Sequence, residues 1–227
     1  MPLAALEARA ADHGLILRGA FHPRPGDALP EGTGTLLLFG PDEPGFWPIF
    51  AASDEYADEA PDPLDRWSAR VLGDLATRWG GTAILPSDGP PWPPFLTWAR
   101  RSGRAFPSPI GLFVHDRVGL MISYRGAIAL PQRLALPTTG PAPCPGCIDR
   151  PCASACPVGA LREGAAYDVP ACQHHLRRPE GRECRLRGCL AQRACPLSAN
   201  LHRDAAQASF HMAAFMEDWP GTEGGNG

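Results

Sequence analysis

All eight cysteines of this 227-residue chain lie between Cys144 and Cys195. They run Cys144-x2-Cys147-x4-Cys152-x3-Cys156-Pro157, then Cys172-x11-Cys184-x4-Cys189-x5-Cys195-Pro196. Eight thiolates are the number that two cubane iron-sulfur clusters need. A tight Cys-x2-Cys-x4-Cys turn lets three sulfurs of one loop converge on three corners of a cubane, and the fourth must come from elsewhere.

Two of the cysteines, Cys156 and Cys195, directly precede proline, as in the bacterial dicluster ferredoxin run, where the cysteine before proline in each half ligates the other half's cluster. By that likeness Cys144, Cys147, Cys152 and Cys195 hold one 4Fe-4S cluster, and Cys156, Cys172, Cys184 and Cys189 hold the second. The second half departs from the usual short spacing, with wider gaps after Cys172, Cys184 and Cys189. The competing assignment is zinc, also bound tetrahedrally by four cysteines. Zinc ribbons present two separated Cys-x2-Cys knuckles, whereas this chain has one such pair and places four cysteines within thirteen residues.

The start of the chain, Met1-Pro2-Leu3 running into Glu7 and Arg9, lacks a basic stretch leading into an apolar run, so no signal peptide is expected. No apolar run is long enough to span a bilayer. The expected location is cytoplasmic, where clustered thiols serve metal binding or redox chemistry more often than disulfides. A formal net charge of -3 implies no polyionic partner for the whole molecule. Every strong base is arginine. The absence of lysine excludes Schiff-base chemistry, a pyridoxal phosphate linkage and a lysine-bearing phosphate loop.

Upstream of the cysteines the pattern is that of an α/β core domain over residues 1–138. A short helix is expected from Leu3 to Ala11, and buried strands at Leu15-Ile16-Leu17, Thr35–Phe39 and Ala83-Ile84-Leu85. The clearest helix is Pro63 to Trp79, capped by Asp62 and stopped at Gly80-Gly81, with Leu64, Trp67, Val71, Leu75 and Trp79 on its core face. Pro90-Pro91-Trp92-Pro93-Pro94 reads as a stiff loop in which Trp92 lines a pocket, followed by a helix around Phe95–Arg100. Leu112 to Leu130 reads as an antiparallel hairpin or meander, and the proline-rich stretch 131–143 as a linker. Residues 139–217 then form the two-cluster domain, ending in a helix from Arg203 to Glu217, and 218–227 a disordered tail.

Around the later cysteines, Arg177, Arg178, Arg182, Arg185, Arg187 and Arg193 make a local basic bias. It is read as a solvated face, as a dock for an acidic electron donor, or as a contact for nucleic-acid phosphates, tRNA included. His174-His175 lie beside Cys172 as hydrogen-bond donors to sulfur or substitute ligands.

An α/β domain, a linker and a two-cluster ferredoxin-like module in this order resemble the epoxyqueuosine reductase family. The likeness runs from Asp62 to Cys195: the helix Pro63 to Trp79, the strand at Ile84, the helix near Trp98, the hairpin leading to Leu130-Pro131, then the cysteines. The resemblance implies an α+β fold with a nitroreductase-like N-terminal domain that holds cobalamin above the first cluster. It also implies an acidic proton donor, for which Asp88 is the nearest candidate. Ser108-Pro109-Ile110-Gly111-Leu112 stands where the family has a glycine-rich stretch with lysine.

Two functions follow as expectations. The first is an iron-sulfur electron-transfer protein that takes single electrons from a reduced ferredoxin, a flavodoxin or a reductase and passes them to an acceptor. The second is a reductase whose N-terminal domain binds a corrinoid or flavin, with Asp88, Trp92, His115 and Tyr124 lining the site. A zinc-stabilised RNA-binding module would be colourless and redox-silent.

Overall fold

In the computed structural model, which describes residues 2–217, the chain is mixed α+β. The first elements are α1 (Leu3–Ala11), β1 (Leu15–Phe21), β2 (Thr35–Pro41), α2 (Phe46–Ala51), α3 (Asp54–Ala57), α4 (Pro63–Trp79), β3 (Thr82–Ile84) and α5 (Phe95–Arg101). They are followed by β4 (Ala105–Pro107), β5 (Phe113–His115) and β6 (Gly126–Leu130). Five helices follow among the cysteines and beyond: α6 (Val169–Arg177), α7 (Arg182–Arg187), α8 (Leu190–Ala194), α9 (Pro196–Ala199) and α10 (Ala205–Glu217). The tail 218–227 lies outside the described residues. No helix among the described residues is long and apolar enough to cross a membrane.

The chain divides into two compact units. The first comprises Met1–Phe106 with Ile122–Ala142, and the second Pro107–Met121 with the chain from Pro143 onward. The cysteine-bearing unit thus takes in an excursion from the region read as the N-terminal domain.

The first unit is built on a four-stranded antiparallel sheet in the order β1-β2-β6-β3. Every residue of β2 is buried, from Thr35 to Pro41. That is why its sequence is a continuous apolar run instead of an alternating one: both faces of a central strand are covered. On one face Leu36 and Leu38 join Phe21, Ala127, Phe95 and Trp98 in one apolar cluster. Phe39, next in the alternation, meets Trp79 of α4 with ring centres 6.0 Å apart.

Helix α4 buries Leu64, Trp67, Val71, Leu75 and Trp79, the expected stripe, and ends at Gly80 in the left-handed conformation. Asp62 does not cap it. Its backbone is left-handed (φ 53°) and its side chain makes no capping hydrogen bond, because a capping side chain reaches the first-turn amides from an extended backbone.

The hairpin expected over 112–130 is also corrected. β6 pairs with β2 (Thr35 opposite Leu130) and with β3 (Ala83 opposite Ile128). What remains of the hairpin is a tight turn in which His115 and Gly119 exchange backbone hydrogen bonds of 2.9 and 3.0 Å.

Within the second unit that turn is held by side chains from far along the chain. Ser198 Oγ donates to the Val118 carbonyl at 3.1 Å, and Arg203 donates to the Met121 carbonyl at 2.9 Å. Apolar burial here is less extensive than in the first unit. Ile110, Val114, Val118 and Leu120 are buried in the 107–121 excursion, and from Pro143 onward Leu161 and Leu176 are the only buried side chains larger than alanine or cysteine in the apolar core of the described residues.

Candidate metal centre

The first group of thiols rests on turns and on one helix junction. Cys144 opens a single 3-10 turn, and the Cys147 amide closes it on the Cys144 carbonyl at 3.0 Å. Arg150, left-handed at φ 38°, redirects the chain into a second 3-10 turn that buries Cys152. Cys195 sits between α8 and α9, where its carbonyl accepts from the amides of Ser198 (2.8 Å) and Ala199 (3.0 Å). Proline at position 196 suits this corner, since the first turn of a helix needs no amide donor there.

Electrostatics link these four. The Cys144 thiol is pushed up by burial first, then by the neighbouring Cys152, Cys195 and Cys147. Burial, Cys195 and Cys147 do the same to Cys152. All four line one cavity of about 550 Å³, together with Ser108, Val114, Leu120, Ile148 and Leu197. The Ser108 side chain is buried there, and its Oγ has no hydrogen-bond partner among the described residues.

Gly119 packs closely against Cys195. It has φ +59°, and a Cβ at that position would stand 2.7 Å from Cys195 Sγ and 2.9 Å from the Ser198 amide nitrogen. Only glycine lets the turn approach the sulfur so closely.

The second group comes from helices. Cys172 lies on α6, Cys184 on α7, and Cys189 between α7 and α8, while Cys156 follows the Cys152 turn. Burial raises the thiols of Cys172, Cys184 and Cys189. Cys156 and Cys184 raise Cys172 further, and Cys172 and Cys184 raise Cys189. The backbone amides of Leu190 for Cys184, and of Gln192 and Ala191 for Cys189, act in the opposite direction. Such donors favour thiolate over thiol.

The structure therefore places Cys144, Cys147, Cys152 and Cys195 around one cavity, while burial and neighbouring thiols raise Cys172, Cys184 and Cys189. All eight are free of disulfides. Among the described residues no three His, Cys, Asp or Glu side chains converge closely enough to hold a single metal ion. Compared with protein-family models, curated proteins and solved structures, the chain finds no match.

The other residues singled out in the sequence have mostly structural surroundings. Asp88 accepts the Leu85 amide at 2.8 Å in an exposed turn. Trp92 is 65% exposed, and its indole lies against Gly89. Tyr124 packs on the apolar cluster, 6.5 Å from the Phe95 ring. His115 is fully buried, and its Nδ1 accepts the Arg117 amide at 3.1 Å. His174 is exposed, and its ring nitrogen lies 3.5 Å from Arg178.

Much of the basic bias is tied down internally. Arg185 donates to the carbonyls of Leu176 and Arg178, Arg193 pairs with Glu183 at 2.7 Å, and Arg177 donates to Gln173. The sequence gives no sign that Gly119 lies against Cys195, and Ser108, which lines the cavity, appears in the sequence only as the start of the stretch in place of the family's glycine-rich loop.

Proposed function

We propose that this chain is an iron-sulfur electron-transfer protein with two 4Fe-4S clusters, relaying single electrons from a reduced ferredoxin or flavodoxin to an acceptor. The observation that carries it is that all eight thiols are free of disulfides and that Cys144, Cys147, Cys152 and Cys195 line one cavity. The donor set fits the cofactor, because a cubane takes one thiolate on each of four irons. Cys144, Cys147, Cys152 and Cys195 would hold the first cluster, and Cys156, Cys172, Cys184 and Cys189 the second. When bound, the clusters supply one-electron chemistry.

The chain's own residues set the conditions for it. Amides of Leu190, Ala191 and Gln192 favour the thiolates of Cys184 and Cys189. Buried Cys152, Cys184 and Cys195 keep water from part of each group. The direct test is anaerobic reduction of the purified protein by reduced ferredoxin or flavodoxin. Bleaching of visible absorption and interacting spin-resonance signals are expected. A colourless protein that accepts no electrons contradicts the proposal.

The cavity of about 550 Å³ beside the first group favours a second reading, a reductase of the epoxyqueuosine reductase kind with a nitroreductase-like first unit. Its volume is in the range of small-molecule sites. Corrinoid or flavin absorption bands in the purified protein would support this reading over pure electron relay.

A further inference from the structure

Arg24, Arg101 and Arg133, with Phe21, His22 and Pro23, line one cavity of about 260 Å³ in the first unit. No carboxylate lines it among the described residues. Each arginine comes from a different stretch of chain, and each stretch is fixed by its own hydrogen bonds. Arg24 opens a tight turn: its amide donates to the Asp27 carboxylate at 2.7 Å, and its carbonyl accepts the Asp27 amide at 3.2 Å. Arg133 stands between two residues clamped by Thr35, whose Oγ1 donates to the Gln132 carbonyl at 2.8 Å and accepts the Leu134 amide at 2.9 Å. His22 Nε2 donates to the Leu134 carbonyl at 2.9 Å and ties the same segment to the end of β1.

Arg101, the last residue of α5, is oriented by Asp27, which accepts from its Nε and Nη2 at 3.1 Å each. Its guanidinium also lies 5.2 Å from the centre of the Phe21 ring. The Nη1 hydrogens of Arg101 and the guanidinium groups of Arg24 and Arg133 have no partner among the described residues. Asp27 offsets one of the three guanidinium charges, so two stand uncompensated at the cavity.

A phosphate monoester carries about −1.5 to −2 at neutral pH and offers three acceptor oxygens. It matches both the excess charge and the three guanidinium groups, which pair with phosphate oxygens through parallel hydrogen bonds. A diester within a nucleic-acid strand carries a single charge and fewer free oxygens. The volume is below the roughly 300–1,000 Å³ of sites that enclose drug-sized ligands, so the cavity takes the phosphate group and leaves the rest of the molecule outside.

We propose that Arg24, Arg101 and Arg133 form a binding site for the terminal phosphate of a small molecule. The site lies within the first unit and does not depend on the thiols or on what they bind.

The test is calorimetric titration of the full chain, at low chloride, with inorganic phosphate, phenyl phosphate, dimethyl phosphate and a short oligonucleotide lacking a terminal phosphate. Inorganic and phenyl phosphate should bind once per chain, and dimethyl phosphate at least about tenfold more weakly. Arg24→Gln and Arg133→Gln alter exposed side chains that support no other contact, and each should weaken phosphate binding about tenfold. Arg78→Gln, which removes an exposed charge from α4, should leave it unchanged. Thermal unfolding gives a second reading: phosphate should raise the melting temperature of the wild type and have little effect on the Arg24 and Arg133 variants.

Absence of saturable phosphate binding overturns the proposal. Equal weakening by all three substitutions also overturns it, by reducing the site to general attraction between charges. Tighter binding of the oligonucleotide than of phenyl phosphate, lost in the Arg24 and Arg133 variants, overturns it in favour of a nucleic-acid strand.

Discussion

The two compact units are stabilised by different means. In the first, β2 is buried along its whole length between apolar faces, and α4 contributes Trp67, Val71, Leu72 and Leu75 at 3% exposure or less. In the second, the large buried apolar side chains among the described residues are Ile110, Val114, Val118 and Leu120 of the 107–121 excursion and, from Pro143 onward, Leu161 and Leu176, the rest being alanine and cysteine. Short helices such as α7, α8 and α9 are marginal by themselves. A region with a smaller core gains most from a bound ligand acting as a staple. One unit is folded by burial, and on the two-cluster proposal the other depends also on what its thiols bind.

The largest expected effect is therefore loss of metal. Chelation under reducing, oxygen-free conditions should abolish amide-exchange protection across α6, α7 and α8 and leave the β1-β2-β6-β3 sheet protected. Equal retention in both regions would break the contrast. A substitution in the first unit should do the reverse. Trp67→Ala is expected to cost about 3–5 kcal/mol of that unit's stability by cavity formation. Denaturant midpoints from the sheet should fall while iron per chain stays constant, and a parallel loss of iron would show that burial supports both regions.

Gly119→Ala should act on the second unit through a single contact. A Cβ would meet Cys195 Sγ and the Ser198 amide, and the positive φ adds strain of order 1–3 kcal/mol. Loss of the first cluster with retention of the second is expected, measured as about half the iron and sulfide. Full loading would mean that the turn can retreat from the sulfur.

The smallest expected effect comes from a surface pair of the first unit. The Arg70 hydrogen bond, opposed by burial, holds the Glu55 carboxyl at about 2, below its ordinary 4.5. A carboxyl with a depressed folded value contributes stability above pH 4.5 and loses it as pH falls toward 2. Because Arg70 is half exposed, screening limits the contribution to below about 1 kcal/mol. Glu55→Gln should flatten the sheet's denaturant midpoint between about pH 4.5 and pH 2, and an unchanged slope would contradict the assignment.

What could be read from the sequence differs between the units for the same reason. Apolar periodicity located α4, and continuous apolar runs located β1 and β2, because burial leaves a local pattern. The grouping of thiols is what the likeness to the dicluster ferredoxin run implies, through the spacing and the prolines after Cys156 and Cys195. The assignment of 107–121 was not legible, because it depends on Ser198 reaching Val118 and Arg203 reaching Met121, contacts about eighty residues apart. Gly119 was passed over as a turn residue, since its partner Cys195 lies 76 positions away. Trp92 looked like a pocket wall by composition, yet the proline loop carries it into solvent.

The most direct measurement is iron, acid-labile sulfide and zinc per chain in protein purified without oxygen, with the spin-resonance spectrum after reduction. About eight irons and eight sulfides with magnetically interacting signals are expected for two cubanes on eight thiolates. Stoichiometric zinc, no sulfide and no visible absorption would contradict the two-cluster assignment.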